Sequence, residues 1–218
     1  LGHIYFQTEE EPMKLSKTLL TGAVLAALSP FTMAASFTNG GFESSTFSGS
    51  FATYWAGSLD LTGWTIEEGS VDLINNYWQP SSGDYSLDLS GNGDGVISQA
   101  FDTVVGTTYT VSFDMAGNPD DSDKVKTVQV GLSQQPLYTF NTTGRTRTDM
   151  GWVTQSFTFT AVATSSTLHF ASVQDSAYGV ALDNISVTAV PEPETYAMRL
   201  AGLGLIGTLA RRRKSSSK

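Results

Sequence analysis

This sequence predicts an all-β fold, a two-sheet antiparallel β-sandwich of jelly-roll type, and three observations carry the prediction. Apolar and polar residues alternate with a period of two in run after run between residues 71 and 187. Gly- and Pro-containing turns separate the runs, and between residues 36 and 190 no helix longer than a turn is suggested. A surface helix repeats its apolar positions every three to four residues, whereas a half-buried strand repeats them every two.

The runs follow one another in a regular order. Val71–Ile74 comes first, and the turn Pro80–Gly83 leads to Tyr85–Leu89. Gly91–Gly95 precedes Val96–Phe101, Gly106-Thr107 precedes Tyr109–Met115, and Gly117-Asn118-Pro119 precedes Thr127–Leu132. Gly144 separates the last of these from Val153–Phe159, and Thr167–Ala171 and Val180–Val187 complete the set. Each run carries the β-branched or aromatic residues that suit a pleated, half-buried surface. Eight or nine strands within Ser36 to Val190 make one domain of ordinary size.

Composition narrows the chemistry. The 218 residues include 12 Lys+Arg, 21 Asp+Glu, 2 His and no Cys, for a net charge of −9. No disulfide, thiol nucleophile or Cys-ligated zinc is available. His3 lies in the leader, so His169 is the one imidazole in the body of the chain, and Ser-His or multi-His metal chemistry is poorly supported. Nucleic-acid binding is disfavoured, because four of the basic residues, Arg211 to Lys214, sit in one terminal cluster. Between Ser36 and Val190 only Lys124, Lys126, Arg145 and Arg147 oppose sixteen acidic residues, a net charge of −12. That balance suits an extracellular domain for calcium or neutral sugars, and it opposes an acidic polymer unless metal bridges the two.

The ends are unlike the middle. Residues 1–12 read as a leader with no part in the fold. From Met13, the basic Lys14 and Lys17, the apolar stretch Leu19 to Leu28 and the small-residue exit at Ala34-Ala35 have the three parts of a secretory signal peptide, 13–35, with export through the Sec pathway expected. At the other end come Pro191-Glu192-Pro193, an apolar stretch from Tyr196 to Ala210 and the basic run Arg211, Arg212, Arg213 and Lys214, with 215–218 as a tail. This order over 191–214 resembles the PEP-CTERM sorting signal of Gram-negative bacteria. The resemblance implies a membrane exosortase that recognises and cuts at Pro191-Glu192-Pro193 while the remainder anchors the chain transiently in the inner membrane. A fifteen-residue helix would measure about 22 Å, short of the ~30 Å hydrocarbon core, with the three arginines snorkelling to cover part of the mismatch. Arg199 departs from the usual apolar pattern and weakens such a transmembrane sorting helix, by up to about 2.5–3.5 kcal/mol were it central.

A second resemblance covers essentially the whole middle domain, 36–190. Asn39-Gly40-Gly41-Phe42-Glu43, Leu61–Ile74, Tyr77–Gly91, Ile97–Phe101, Gly106–Pro119 and Ala181–Val187 are similar to the choice-of-anchor C group, related to the plant cell-wall domain of unknown function 642. The resemblance implies a galactose-binding-like sandwich, with some relatives associated with cell-wall polysaccharide. It also implies a structural Ca²⁺ between an early loop and a late strand, held by Glu43 and Asp183 with backbone carbonyls near Asn39 completing the oxygen shell. Against that stands a simpler role for the same two carboxylates as acceptors for local backbone donors. Asp88 to Gly95 has a superficial EF-hand spacing, but Gln99 stands where a bidentate Glu is needed, and the segment reads as a hairpin turn. Asp120 to Asp123 reads as a solvated acidic loop.

Sugar recognition needs flat apolar faces for pyranose C–H groups and planar amides or carboxylates for hydroxyls. Trp55 and the segment containing Asn75, Tyr77 and Trp78 supply that mixture, with Asp72 and Asp88 on flanking strands as further acceptors. Trp64 and Trp152, each after a glycine, are expected in the core, while for Trp55 and Trp78 core and site remain open. A glycosidase would need two carboxylates ~5–9.5 Å apart, for which Asp72 with Asp88 is the one pair to nominate. The reading adopted is a non-catalytic, exosortase-processed surface or extracellular-matrix protein whose sandwich binds a polysaccharide. The alternatives are a structural surface protein with no glycan ligand and, behind it, a glycoside hydrolase.

Overall fold

Among the described residues, eleven antiparallel strands arrange themselves in two sheets. The computed structural model describes residues 36–45, 47–132 and 136–191. The strands are β1 Phe51–Trp55, β2 Thr65–Glu68, β3 Ser70–Ile74, β4 Ser86–Asp88, β5 Val96–Asp102, β6 Thr108–Gly117, β7 Val125–Gly131, β8 Leu137–Asn141, β9 Val153–Thr160, β10 Ser165–Ser172 and β11 Val180–Ala189. One sheet has the order β1-β3-β4-β11-β6-β9 and the other β2-β5-β10-β7-β8. The expected all-β sandwich is present, and no helix occurs among the described residues. The expected signal helix and sorting helix, with Glu192, Pro193 and Arg211 to Arg213, lie outside the described residues. Pro191 is the last residue described and is exposed.

The period of two builds the inner faces. Leu73, Leu87, Leu182 and Met115 stand side by side across β3, β4, β11 and β6. Ile66, Ile97, Phe170 and Val130 do the same across β2, β5, β10 and β7. All eight are at most 1% exposed. Phe113 of one sheet meets Phe170 of the other edge-to-face at 5.4 Å, which closes the space between them. Trp64 is buried as expected; its ring stacks on Phe42 at 5.7 Å, and its Nε1 donates to the Asn39 carbonyl at 3.0 Å. Trp152 is half-buried against the core.

Three strands were not legible as runs: β1, β2 and β8. All three lie at sheet edges and are four or five residues long, so neighbours on one side only define their alternation.

The outer face of the six-stranded sheet departs from expectation. Alternation directs Asp72, Asp88, Ser86, Asp183 and Asp114 away from the core, toward solvent. Instead Ser86, Asp88, Asp183 and Asp114 are 0–8% exposed: the β3–β4 connection, residues 75–85, lies across Ser86, Asp183 and Asp114, and Ser90, Asn118 and Gly179 close on Asp88. Trp78 Nε1 donates to Ser86 Oγ at 2.8 Å, Ser81 N and Ser82 N to Asp183 Oδ2 at 2.9 Å, and Ser81 Oγ to Asp114 Oδ2 at 2.7 Å. Buried carboxylates survive there because hydrogen-bond donors meet them.

The acidic loop is solvated as expected, with Asp120, Ser122 and Asp123 exposed, and two of its aspartates also form ion pairs. Asp121 pairs with Lys126 at 2.6 Å, the lysine being fully buried, and Asp120 pairs with Arg147 at 2.7 Å. The expected hairpin at Gly91 to Gly95 is instead a turn between the sheets, closed by the Ser90–Asp94 bridge, because β4 and β5 lie in different sheets. Asp94 Oδ1 accepts from Ser172 Oγ and Gln174 N, which ties the turn to the β10–β11 connection.

Gly40 makes the early loop possible. Its carbonyl accepts from Ile185 N at 2.9 Å, and a Cβ at this position would stand 1.8 Å from the Ile185 carbonyl oxygen. Gly40→Ala is therefore expected to separate the loop from β11 and to cost about 3 kcal/mol, readable as a lowered urea midpoint. An unchanged midpoint would mean that the contact contributes nothing.

Candidate functional site

Two neighbouring cavities share Tyr77 and Trp78. The smaller, about 220 Å³, is lined by Phe51, Thr53, Asp72, Ile74, Tyr77, Trp78, Asp88, Gly91, Asn92, Asn118, Ala177 and Tyr178. The larger, about 510 Å³, is lined by Asn75, Asn76, Gln79, Pro80, Asp84, Arg147 and Thr148 together with the shared pair. The fold brings these residues together for a simple reason. Strands β3 and β4 place Asp72 opposite Asp88, and the chain between them returns over the same face. β6 ends and β11 begins beside β4, so Asn118 and Tyr178 reach the same rim.

The carboxylate floor is electrostatically unusual. Asp88 is 1% exposed; its Oδ1 accepts from Ser90 N and Gly179 N, both at 3.0 Å, and its Oδ2 from Asn118 Nδ2 at 2.8 Å. Burial pushes its carboxyl up to about 7, with Asn118 and the two amides pulling back and Asp72 adding to the rise. Asp72 is also raised by burial, partly offset by Thr53 Oγ1, which donates to it at 2.6 Å.

The walls are aromatic and fixed. Phe51 meets Tyr77 edge-to-face at 5.5 Å, and both Phe51 and Tyr178 keep exposed ring surface, 47% and 41%. Arg147 lies over the Tyr77 ring at 3.8 Å and donates to Tyr77 Oη and to Asp120, and Tyr77 Oη donates to Asp120 Oδ2 at 2.8 Å. Burial tends to raise the Asp120 carboxyl, but the hydrogen bonds from Arg147 and Tyr77 outweigh it and hold the group below the usual range.

Of the six sugar-binding candidates read from the sequence, Asp72, Asn75, Tyr77, Trp78 and Asp88 line these cavities, but two of the five have other roles than expected. Trp78 is 3% exposed with its indole N–H committed to Ser86, so it is a packing residue beneath the cavities and offers no open stacking face. Asp88 has donors on both oxygens. Trp55 keeps an exposed ring, 57%, but stands at the far end of β1 and lines neither cavity. Sequence reasoning missed Phe51, Asn118, Arg147 and Tyr178. Asn118 and Tyr178 flank strand ends, and that position was the available signal.

Glu43 and Asp183 both face the loop over the sheet. Glu43 Oε1 accepts from Asp84 N and Tyr85 N, both at 3.0 Å; Asp183 Oδ2 accepts from Ser81 N and Ser82 N, and its Oδ1 from Asn184 N at 2.6 Å. Burial, with Glu43 nearby, raises Asp183 to about 6. The Asn39 carbonyl, the third expected ligand, accepts from Phe42 N and Trp64 Nε1. These bonds give both carboxylates the role of acceptors for local backbone donors.

Fold and termini define a class: a β-sandwich domain followed by a sorting motif. The profile of the PEP-CTERM protein-sorting motif matches residues 189–214, which marks the chain for exosortase sorting, export with transient membrane anchoring, and surface display. The profile described as "protein of unknown function (DUF642)" matches residues 35–188, and the chain belongs to that family. It is 33% identical over 162 residues to halomucin of Haloquadratum walsbyi; this covers 71% of the chain but only 2% of halomucin's length. Among solved structures, a family 35 carbohydrate-binding module from Paenibacillus barcinonensis has a TM-score of 0.42 at 18% identity, over 64% of this chain and 99% of that one. A family 61 module in complex with β-1,4-galactotriose has 0.42 at 14%, over 71% and 99%. An arabinose-bound α-L-arabinofuranosidase has 0.47 at 15%, over 72% and 26%.

Proposed function

We propose that the sandwich is a non-catalytic module that binds a neutral glycan in the smaller cavity, on a surface protein delivered by exosortase. The observation that carries this reading is the pairing of exposed Phe51 and Tyr178 rings with the Asp72 carboxylate and the Asn92 amide around one concavity. Apolar ring faces suit sugar C–H surfaces, and fixed amides and carboxylates suit hydroxyls. The net charge of −12 over Ser36 to Val190 favours an uncharged ligand. Choice-of-anchor C membership, a Gram-negative source and export through the Sec pathway belong to the same proposal.

A hydrolase is the weaker reading. Asp72 and Asp88 do face one cavity with raised pKa values, but Asp88 gives both oxygens to structural donors, which leaves neither ready to move a proton to substrate.

Calorimetric titration against neutral polysaccharides tests the proposal. Phe51→Ala and Tyr178→Ala, both at exposed positions, are expected to fold normally and to weaken binding about tenfold each, ~1.4 kcal/mol. No saturable binding across the panel, or unaltered binding in both variants, would leave a structural surface protein as the better account. Structural calcium at Glu43 and Asp183 is tested separately by melting the protein with calcium and with chelator. If the ion is held there, calcium raises the melting temperature in wild type and not in Asp183→Asn; equal curves would remove it.

A further inference from the structure

The end of the sandwich opposite the cavities carries exposed valines. The β5–β6 connection presents Val104 and Val105, 64% and 58% exposed, and the β9–β10 connection presents Val162, 90% exposed. These two connections are one structure. Thr103 N donates to Thr164 O, Gly106 N to Ala161 O and Ala161 N to Thr107 O, at 2.8, 2.8 and 3.0 Å, and Thr103 Oγ1 donates to Ala163 O at 2.8 Å. Val104 N donates to Tyr109 Oη at 3.0 Å. Much of the tip's backbone is therefore already paired, the condition that hydrocarbon imposes on any chain segment.

The chain leaves the domain at this same end. Val190 N donates to Thr108 O at 2.8 Å, and Thr108 pairs with Thr160, so the last described residues stand in the row next to the valine tip. From Val190 the apolar sorting stretch begins six residues later, at Tyr196, a separation that can span at most about 20 Å. While the sorting motif holds the chain in the membrane, the tip is thus kept beside the bilayer at high effective concentration. The domain's four basic residues, Lys124, Lys126, Arg145 and Arg147, lie on or next to connections at the other end, so attraction to anionic headgroups does not orient it.

From this juxtaposition we propose that Val104, Val105 and Val162 dock the domain on the lipid bilayer during the anchored stage. The docking is apolar, insensitive to salt, and too weak to hold the domain once the anchor is cut. It fixes the domain upright on the membrane, with the segment around Pro191-Glu192-Pro193 held at the bilayer surface where a membrane enzyme acts.

The absence of cysteine from the sequence makes the test direct. The full chain carrying Val105→Cys, Val162→Cys or, as a control on the β1–β2 connection, the 92% exposed Leu59→Cys is labelled with a polarity-sensitive fluorophore and reconstituted in phosphatidylethanolamine–phosphatidylglycerol vesicles. The expected result is blue-shifted emission and quenching by brominated lipid at positions 105 and 162 but not at 59, unchanged by high salt. Water-like emission at both valine positions in a chain that co-floats with vesicles would overturn the docking while leaving the anchor intact. Failure to co-float would remove the anchor and the proposal together. Emission that shifts without lipid quenching would assign the tip to a protein partner and likewise overturn it.

Discussion

Replacing Trp78 with alanine is expected to cost about 3–5 kcal/mol, a large part of the stability of a domain this size. The indole is 3% exposed, belongs to the main core cluster and touches the Tyr77 ring at 5.8 Å. Its Nε1 is also a hydrogen-bond donor to Ser86, itself 1% exposed, so truncation leaves a cavity and a buried hydroxyl short of a partner. The loss falls on the loop over the sheet, and the cavities above it should disappear with it. Trp78→Phe keeps most of the volume and is expected to cost about 1–3 kcal/mol, the range for a buried group left unpaired. Urea denaturation followed by far-ultraviolet circular dichroism measures both. A Trp78→Ala midpoint within error of wild type would show that the loop contributes little, and the account of the buried outer face would fail.

The second large effect is a dependence of stability on pH opposite to that of most acidic proteins near neutrality. Asp88 and Asp183 titrate near 7 and 6 in the folded protein, against 3.8 as ordinary aspartates, with burial the leading cause in each. Between pH 3.8 and those values the folded state holds protons that the unfolded state has released, so stability falls as pH rises through the window. Below 3.8 both states are protonated and the difference vanishes. Asp120 and Asp121 run the other way: their ion pairs hold them low, and their contribution is lost in stronger acid. The domain is therefore expected to be most stable near pH 4, weaker by a few kcal/mol at pH 8, and weaker again below pH 3. Asp88→Asn should flatten the neutral limb. Denaturation midpoints at pH 3, 5 and 8 decide the matter, and a midpoint that rises from 5 to 8 would contradict it. A cation bound at Asp183 would favour its charged form and shrink the slope, which makes the same experiment informative about calcium.

Much of the fold was legible because burial and alternation agree on the inner faces. Leu73, Leu87, Leu182 and Met115 are apolar at every second position of their runs, and nothing in the tertiary structure overrides them. The PEP-CTERM order was legible because three chemically different segments follow one another in a short stretch. The outer face of the six-stranded sheet was not. Ser86 and Asp183 occupy the polar phase of their strands, and the sequence carries no sign that Trp78, Ser81 and Ser82 return to cover them. The site was legible to the same degree. Asp72 and Tyr77 stand out for their chemistry, while the Tyr77–Arg147 contact joins residues 70 positions apart. Trp78 was ambiguous because an aromatic among amides looks alike whether it faces a ligand or the protein's own sheet.

The last strand among the described residues, β11, pairs with both β4 and β6 near the middle of its sheet. It also brings Asp183, which holds Ser81 and Ser82 from 102 and 101 residues away. An exported chain emerges from its amino end, so everything up to residue 179 can be across the membrane while the sheet still lacks a central member. Completion waits for the stretch immediately ahead of the sorting motif. Folding of the domain and arrival of its cleavage site are thus timed by the same few residues, and a chain cut early, upstream of Val180, would lose its central strand together with its tether.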